Sequence, residues 1–316
     1  MKSTYNTKLQ DFEPISLSEL NAKASFLKRI DKKFLLNADQ FADVLGELKN
    51  DFKVLEIKGK KIFSYDNIYM DSDDYLFYNQ HQDRKSSRTK VRTRYYIDSN
   101  LAYFEYKQKI DWVTNKYRYE FPCEEHGFMT KGKKRFFEWV WQSIYNEDKA
   151  PKISPSIQTK YKRITLVKND GSERLTIDFD IKTKDLRDKN NKEIDLKNLV
   201  IVESKSLNKE CDSARIMEQH NISEAKSCSK YSLWVVYSGI AKKYDTFIET
   251  MEKIKEIRLE TVKNRKRLAK GKAKVKNTKE TKNTTDENKS NFVKKELQIS
   301  VVWVKKGPFT TKALKI

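Results

Sequence analysis

The residues of this chain best suited to chemistry are cations set at strand spacing. Between Ser86 and Tyr96, Arg88, Lys90, Arg92 and Arg94 take every second position, with Thr89, Val91, Thr93 and Tyr95 between them. A β-strand sends alternate side chains to opposite faces, so this stretch places four cations on one face. Guanidinium forks grip phosphate oxygens in pairs and lysine adds mobile point charge, so such a row suits the holding of phosphate chains. For one strand alone, a solvated sheet face is the ordinary alternative.

The pattern recurs, which argues against solvent. Tyr103, Glu105, Lys107 and Lys109 share one face of 101–110, Lys116, Arg118 and Glu120 one face of 115–121, and Tyr161, Arg163 and Thr165 one face of 158–167. Arg174, Thr176, Asp178 and Asp180 align within 173–182, and Ile201, Glu203 and Lys205 within 198–205. Near the start, Arg29, Asp31 and Lys33 alternate with Phe26, Ile30 and Phe34 over 25–36. Carboxylates among so many cations serve no purpose in anion binding alone. They suit Mn²⁺ or Mg²⁺, ions that combine carboxylate with substrate phosphate oxygens.

The opposite strand faces are apolar, and amphipathic helices are available to cover them. Helical spacing is predicted over 40–49 (Phe41, Val44, Leu45, Leu48, capped by Asn37 or Asp39), over 133–145 (Phe136, Phe137, Val140, Trp141, Ile144), and over 209–219 and 230–243. The predicted fold is therefore α+β: an antiparallel β-barrel, closed or nearly so, whose charged interior forms a tunnel, flanked by helices.

Charge is unevenly spread. The formal net charge is +21, from 66 Lys+Arg and 45 Asp+Glu. Residues 241–316 hold 22 basic and 9 acidic residues, a net of +13, which leaves +8 for residues 1–240. The expected organisation is a polar lead-in at 1–24, a barrel domain at 25–244, a helical extension at 245–268, a basic disordered linker at 269–296 and a short β-prone tail at 297–316. Nucleic acid or an anionic membrane are conceivable contacts of the basic tail, a solvated linker being the plainer reading. Cys123, Cys211 and Cys228 form neither a disulfide framework nor a zinc pattern. Without a signal-like N-terminus or an apolar run of membrane length, no transmembrane segment and a cytoplasmic location are expected.

Several ordered pieces resemble one family. Arg29-Ile-Asp31-Lys-Lys33-Phe34, Tyr65-Asp-Asn-Ile-Tyr69, Lys90-Val-Arg92-Thr-Arg94-Tyr95, Phe104-Glu105-Tyr-Lys107, Asn115-Lys116-Tyr-Arg118, Tyr161-Lys-Arg163, Arg174-Leu-Thr-Ile-Asp178, Val202-Glu203-Ser-Lys205 and Ser229-Lys230-Tyr231 together are similar to a VTC-type polyphosphate polymerase domain, within the triphosphate tunnel metalloenzymes. The resemblance implies that Lys33, Arg92, Arg94, Lys107, Arg163, Arg174 and Lys205 hold triphosphate and growing chain in the catalytic tunnel. It implies substrate contacts from Lys90, Lys116, Arg118, Ser229 and Lys230, and a metal ligand in Glu203. Lys226 falls one residue off the family spacing and is not assigned.

One departure bears on activity. Triphosphate hydrolases of the superfamily typically open on Glu-x-Glu-x-Lys, whereas this frame reads Arg29-Ile30-Asp31-Lys32-Lys33. A cation replaces the first carboxylate, which weakens a two-metal hydrolytic site and favours a polymerase using ATP and polyphosphate with Mn²⁺ or Mg²⁺. The alternatives are a metal-dependent inorganic triphosphatase and a non-catalytic module that binds polyphosphate or nucleotides.

Overall fold

A computed structural model describes residues 2–23, 29–111, 113–145, 149–190 and 192–260. The expected linker and tail at 269–316 lie outside the described residues. The strand row expected at 25–36 is described from residue 29, with β2 at Ile30–Leu36.

The other strands are β1 (Pro14–Ile15), β3 (Phe52–Leu55), β4 (Phe63–Asp71), β5 (Ser87–Tyr96), β6 (Leu101–Ile110), β7 (Val113–Phe121), β8 (Ser154–Lys168), β9 (Glu173–Asp185), β10 (Glu193–Leu196) and β11 (Val200–Ser206). The main path runs β2-β11-β9-β8-β4-β5-β6-β7. Every neighbour along it is antiparallel. The sheet curls into a half-barrel flanked by helices. Among the described residues β2 and β7 do not pair. The free edge of β2 is met instead by the chain near Glu224, where Ala225 N–H donates to the Lys33 carbonyl at 2.8 Å.

Helices cover the convex face, and one enters the concave side. The helices are α1 (Lys2–Gln10), α2 (Leu17–Lys23), α3 (Ala38–Leu48), α4 (Leu76–Gln82), α5 (Lys131–Tyr145), α6 (Asp212–Gln219) and α7 (Lys230–Tyr237), with α8 at 248–260. Asn37 starts α3 through a capping box with Gln40, and Phe41, Val44, Leu45 and Leu48 form its buried stripe. That stripe packs with Phe34, Ile177, Phe179, Val200 and Val202. Across the sheet, Phe137, Val140 and Trp141 of α5 join Val91, Phe104 and Tyr106.

The first residues are not a loose lead-in. Tyr5, Leu9 and Phe12 are buried in the same core as α3, and the Tyr5 ring meets Phe41 and Phe179 edge-on. Few apolar residues mark this stretch, but most of those are used for packing. The helix predicted over 230–243 ends at Tyr237, where Gly239, at φ +74°, takes the left-handed conformation that stops helices.

On the concave side the inward rows are charged at one end and apolar at the other. Along β2 they run Asp31, Lys33, Leu35, and along the antiparallel β11 Lys205, Glu203, Ile201. Leu35 and Ile201 share a buried cluster with Tyr231, Leu233, Trp234 and Val235 of α7. The apolar end is thus filled by side chains, and the charged end stays polar.

Candidate active site

The β5–β6–β7 wall is organised by one carboxylate. Glu105, 2 % exposed, sits opposite Arg92 on β5 and Arg118 on β7. Its Oε2 lies 2.6 Å from Arg92 Nη2 and 3.6 Å from Arg94 Nε, and its Oε1 2.5 Å from Lys116 Nζ and 3.1 Å from Arg118 Nε. Burial alone would raise the pKa of this carboxyl, but Arg94, Arg92, Lys116 and Arg118 outweigh it and hold the group well below the usual carboxylate range. Arg94 also donates to Asn67 Oδ1 at 2.9 Å, and its guanidinium lies 5.5 Å from the centre of the Tyr65 ring.

The opposite wall carries a second hub. Arg163 grips Asp178 as a fork, Nε to Oδ1 at 2.6 Å and Nη2 to Oδ2 at 2.8 Å. Lys230 reaches the same Oδ2 at 2.5 Å from the first turn of α7. Asp178 is 1 % exposed, and Arg163 and Lys230 overcome the effect of burial to keep its pKa low. Tyr65 and Tyr161 stack at 5.3 Å beside Arg163, giving the fork an aromatic bed.

The third cluster lies where β2 meets β11. Glu203 contacts Lys205 directly and stands 3.9 Å from Lys33. Burial would raise its pKa, but Lys33, Lys205 and Lys230 bring it well below the carboxylate range. Asp31, one pairing step along the ladder, is bound by Arg29 at 3.0 Å.

Lys33, Lys90, Lys107, His81 and Ser229 line a cleft of about 510 Å³ with Asp31 at its edge. Among the described residues, neither Lys90 nor Lys107 has a carboxylate within ion-pair distance. Burial is the main cause that drives the Lys90 pKa well below the lysine range, with Lys107, Lys33, Arg88 and Arg92 adding to it. Burial likewise lowers Lys107, with Glu203 opposing and Lys33 reinforcing the shift. A cleft that works against its own ammonium groups when empty is matched by a ligand that carries negative charge.

The expected site residues therefore fall into connected groups. Arg92, Arg94, Lys116 and Arg118 gather on Glu105, Arg163 and Lys230 on Asp178, and Lys33 and Lys205 on Glu203, while Lys90, Lys107 and Ser229 line the cleft. Both Lys116 and Arg118 turn inward, as strand alternation demands. Arg174 pairs in register with Lys205 at the end of this row. Lys226 sits on the cleft rim, 3.7 Å from Glu249.

One alignment of the sequence pattern fails. Asp178 and Asp180 do not share a face, because β8 and β9 slip register between Lys160 and Lys162, and Asp180 takes a left-handed conformation at φ +50°. Asp180 turns to Lys162 at 2.5 Å, and Ile181 joins a different core from Phe179. The hub roles of Glu105 and Asp178 and the cleft position of His81 were not read from sequence. Glu105 carried a signal, being an acid in one row with Lys107 and Lys109, whereas His81 carried none.

Among the described residues no three His, Cys, Asp or Glu side chains gather to hold a metal unaided. Glu203, with Asp31 on the next strand, offers a donor set for an ion whose remaining ligands are phosphate oxygens, the mode Mg²⁺ and Mn²⁺ favour. These residues fit such an ion and do not fit a closed zinc site. The three cysteines are free.

A family model described as VTC domain matches residues 28–237. Of the solved structures similar at low identity, three stand as examples. They are the PH1819 protein of Pyrococcus horikoshii OT3 (TM-score 0.36, 12 % identity, 66 % of this chain and 99 % of that one), a Bacillus halodurans protein named for adenylate cyclase (TM-score 0.37, 14 % identity, 64 % and 94 %), and a Hippeastrum protein named for adenylyl cyclase and described as having a dominant triphosphatase activity (TM-score 0.40, 12 % identity, 67 % and 96 %). No curated protein matches the chain. No helix among the described residues is long and apolar enough to cross a membrane.

Proposed function

This chain belongs to the VTC domain family, and on that footing we propose that it is a polyphosphate polymerase that transfers the γ-phosphoryl group of ATP to a growing polyphosphate chain. The observation that supports this most is the cleft where Lys33, Lys90 and Lys107 converge with Ser229. Phosphate oxygens would supply the negative charge that the protein withholds there.

In this reading Lys33, Lys90, Lys107 and Lys205 hold the triphosphate, and Arg92, Arg94 and Arg163 swing part of their bonding from carboxylate to phosphate. Arg174, Lys116 and Arg118 hold the chain further along the walls, and Ser229 and Lys230 close on it from the start of α7. A terminal phosphate oxygen of the chain attacks the γ-phosphorus in line. A P–O bond forms there, the bond to the β-phosphate oxygen breaks, and ADP leaves with that electron pair. Positioning and charge neutralisation carry such a transfer without a protein nucleophile. A divalent ion bound by Glu203 would neutralise phosphate charge as the transfer proceeds.

The triphosphatase alternative needs carboxylates free for metal and water. Arg29 instead puts a cation at the first of the two opening positions, 3.0 Å from Asp31, which favours the polymerase reading. Incubating the purified protein with ATP and Mn²⁺ or Mg²⁺ and resolving the products on a gel tests it. Long chains are expected. Free phosphate as the main product would make the protein a hydrolase, and unchanged ATP with measurable tripolyphosphate binding would make it a binding module.

A further inference from the structure

Asp71, the last residue of β4, takes no part in the phosphate chemistry above, yet it is wholly buried with its bonding capacity filled. Its Oδ1 accepts the Ser72 N–H at 2.9 Å and the Phe77 N–H at 3.2 Å, and its Oδ2 accepts the Tyr78 N–H at 3.2 Å. The same Oδ2 also accepts the Tyr231 hydroxyl. Phe77 and Tyr78 belong to the first turn of α4, so the carboxylate occupies the positive end of that helix. Tyr231 is the second residue of α7, and Lys230, just before it, reaches Asp178 at 2.5 Å.

The surroundings fix this corner in place. The Tyr231 ring, 1 % exposed, stacks on Tyr69 at 5.1 Å, and the Tyr69 hydroxyl accepts from Arg92 Nη1 at 3.4 Å. Arg187 donates to the carbonyls of Asp71 at 2.6 Å, Ser72 at 2.7 Å and Pro155 at 3.1 Å. A buried carboxyl often adds little net stability over an apolar group of its shape, whereas its hydrogen bonds impose direction. Here the direction is given to α7. That helix is seated otherwise by Leu233, Trp234, Val235 and Val236, apolar contacts that carry no hydrogen-bond direction.

We infer that Asp71 and Tyr231 form a positioning pair that sets the rotation of α7 and so aims Lys230 at the phosphate site. The inference rests on the phosphate-site reading above. Tyr231→Phe keeps the stack on Tyr69 and removes the hydroxyl with its bonds to Asp71 and to the Ser156 side chain. Asp71→Asn weakens the same link from the other side, leaving one neutral carbonyl oxygen for the four donors that Asp71 now accepts.

The test is a double-mutant cycle with Lys230→Gln, measuring tripolyphosphate affinity by calorimetry and melting temperature on the full chain. Tyr231→Phe is expected to weaken tripolyphosphate binding about tenfold, the effect of misplacing one charged hydrogen bond. In the Lys230→Gln background the same change should cost no further affinity. Asp71→Asn should show the same dependence on Lys230, and it decides the matter should Tyr231→Phe not fold. A loss of the same size with and without Lys230, or no loss at all, overturns the positioning role. Wild-type protein that binds no tripolyphosphate overturns the phosphate-site reading itself, and the positioning role with it.

Discussion

Arg92 and Glu105 face each other across the β5–β6 ladder with Nη2 and Oε2 2.6 Å apart. The carboxylate is shared with Arg94, Lys116 and Arg118, so one acid on β6 restrains the cations of both neighbouring strands. Without ligand, Glu105 occupies the electrical role of a phosphate.

Glu105→Gln should therefore lower apo stability by about 3–5 kcal/mol, the range for removing one partner of a buried ion pair. Tripolyphosphate should raise the melting temperature of this variant more than that of the wild type. Equal apo melting temperatures for variant and wild type would show that the cations do not depend on this carboxylate.

Arg92→Ser/Arg94→Ser should weaken tripolyphosphate binding at least about a hundredfold, two charge-assisted contacts being lost at about 1.5–3 kcal/mol each. The sequence pattern alone predicts that apo stability holds or rises as repulsion is relieved. The geometry reverses that sign, because both arginines neutralise Glu105. A lower apo melting temperature is expected, and unchanged affinity in calorimetry would remove Arg92 and Arg94 from the site.

Lys90→Met should act in the opposite sense, raising the apo melting temperature while weakening tripolyphosphate binding. Burial depresses the Lys90 pKa, so the folded state disfavours its proton. Wild-type apo stability should then climb as pH rises from the depressed folded value towards the unfolded value near 10.4, and the variant should lose that part of the climb. Melting curves across this pH range provide the check.

Glu203→Gln should abolish metal-dependent turnover and leave the fold intact. The pKa of Glu203 is depressed by Lys33 and Lys205 against burial, so its contribution to stability is present above the unfolded carboxylate value and lost as pH falls through the folded one. The variant should consequently lose less stability on acidification than the wild type. Wild-type turnover in the variant would dismiss Glu203 as the metal ligand.

Truncation after Lys243 should destabilise the protein severely. The family motifs all precede that residue, and from sequence alone the shortened chain is expected to keep activity. However, Phe247, Met251, Ile254 and Ile257 are buried in the main core, and removing each costs about 2–5 kcal/mol. A chain ending at residue 260, which retains the Asn37–Glu260 bond at 3.1 Å, should melt close to the full-length protein.

Periodicity two made the strands legible, and β6 runs over the same residues, Leu101–Ile110, that alternation marks. It also sorted Lys116 and Arg118 onto one face correctly. Alternation holds only while the ladder is regular, so the bulge at Asp180 was invisible to it. Which acid answers which cation depends on neighbours in space. Glu105 and Arg118 lie thirteen positions apart in the chain but are direct partners in the β6–β7 register. The role of residues 1–12 was obscured for a different reason. Tyr5, Leu9 and Phe12 are apolar side chains in an otherwise polar stretch, and only the core they fill reveals their use.

The pairing of Arg92, Arg94, Lys116 and Arg118 with Glu105, and of Arg163 and Lys230 with Asp178, makes polyanion capture an ion exchange. Each fixed carboxylate cancels one charge of its group, so it stands in for one mobile counterion that a phosphate chain would otherwise release. Among the described residues Lys90 and Lys107 have no such partner and recruit their counterions from solution. The slope of log affinity against log salt should thus fall below the count of cations that meet the chain, by the charge that Glu105 and Asp178 already supply. Affinity for a phosphate chain would then decline with ionic strength less steeply than the number of wall cations alone implies.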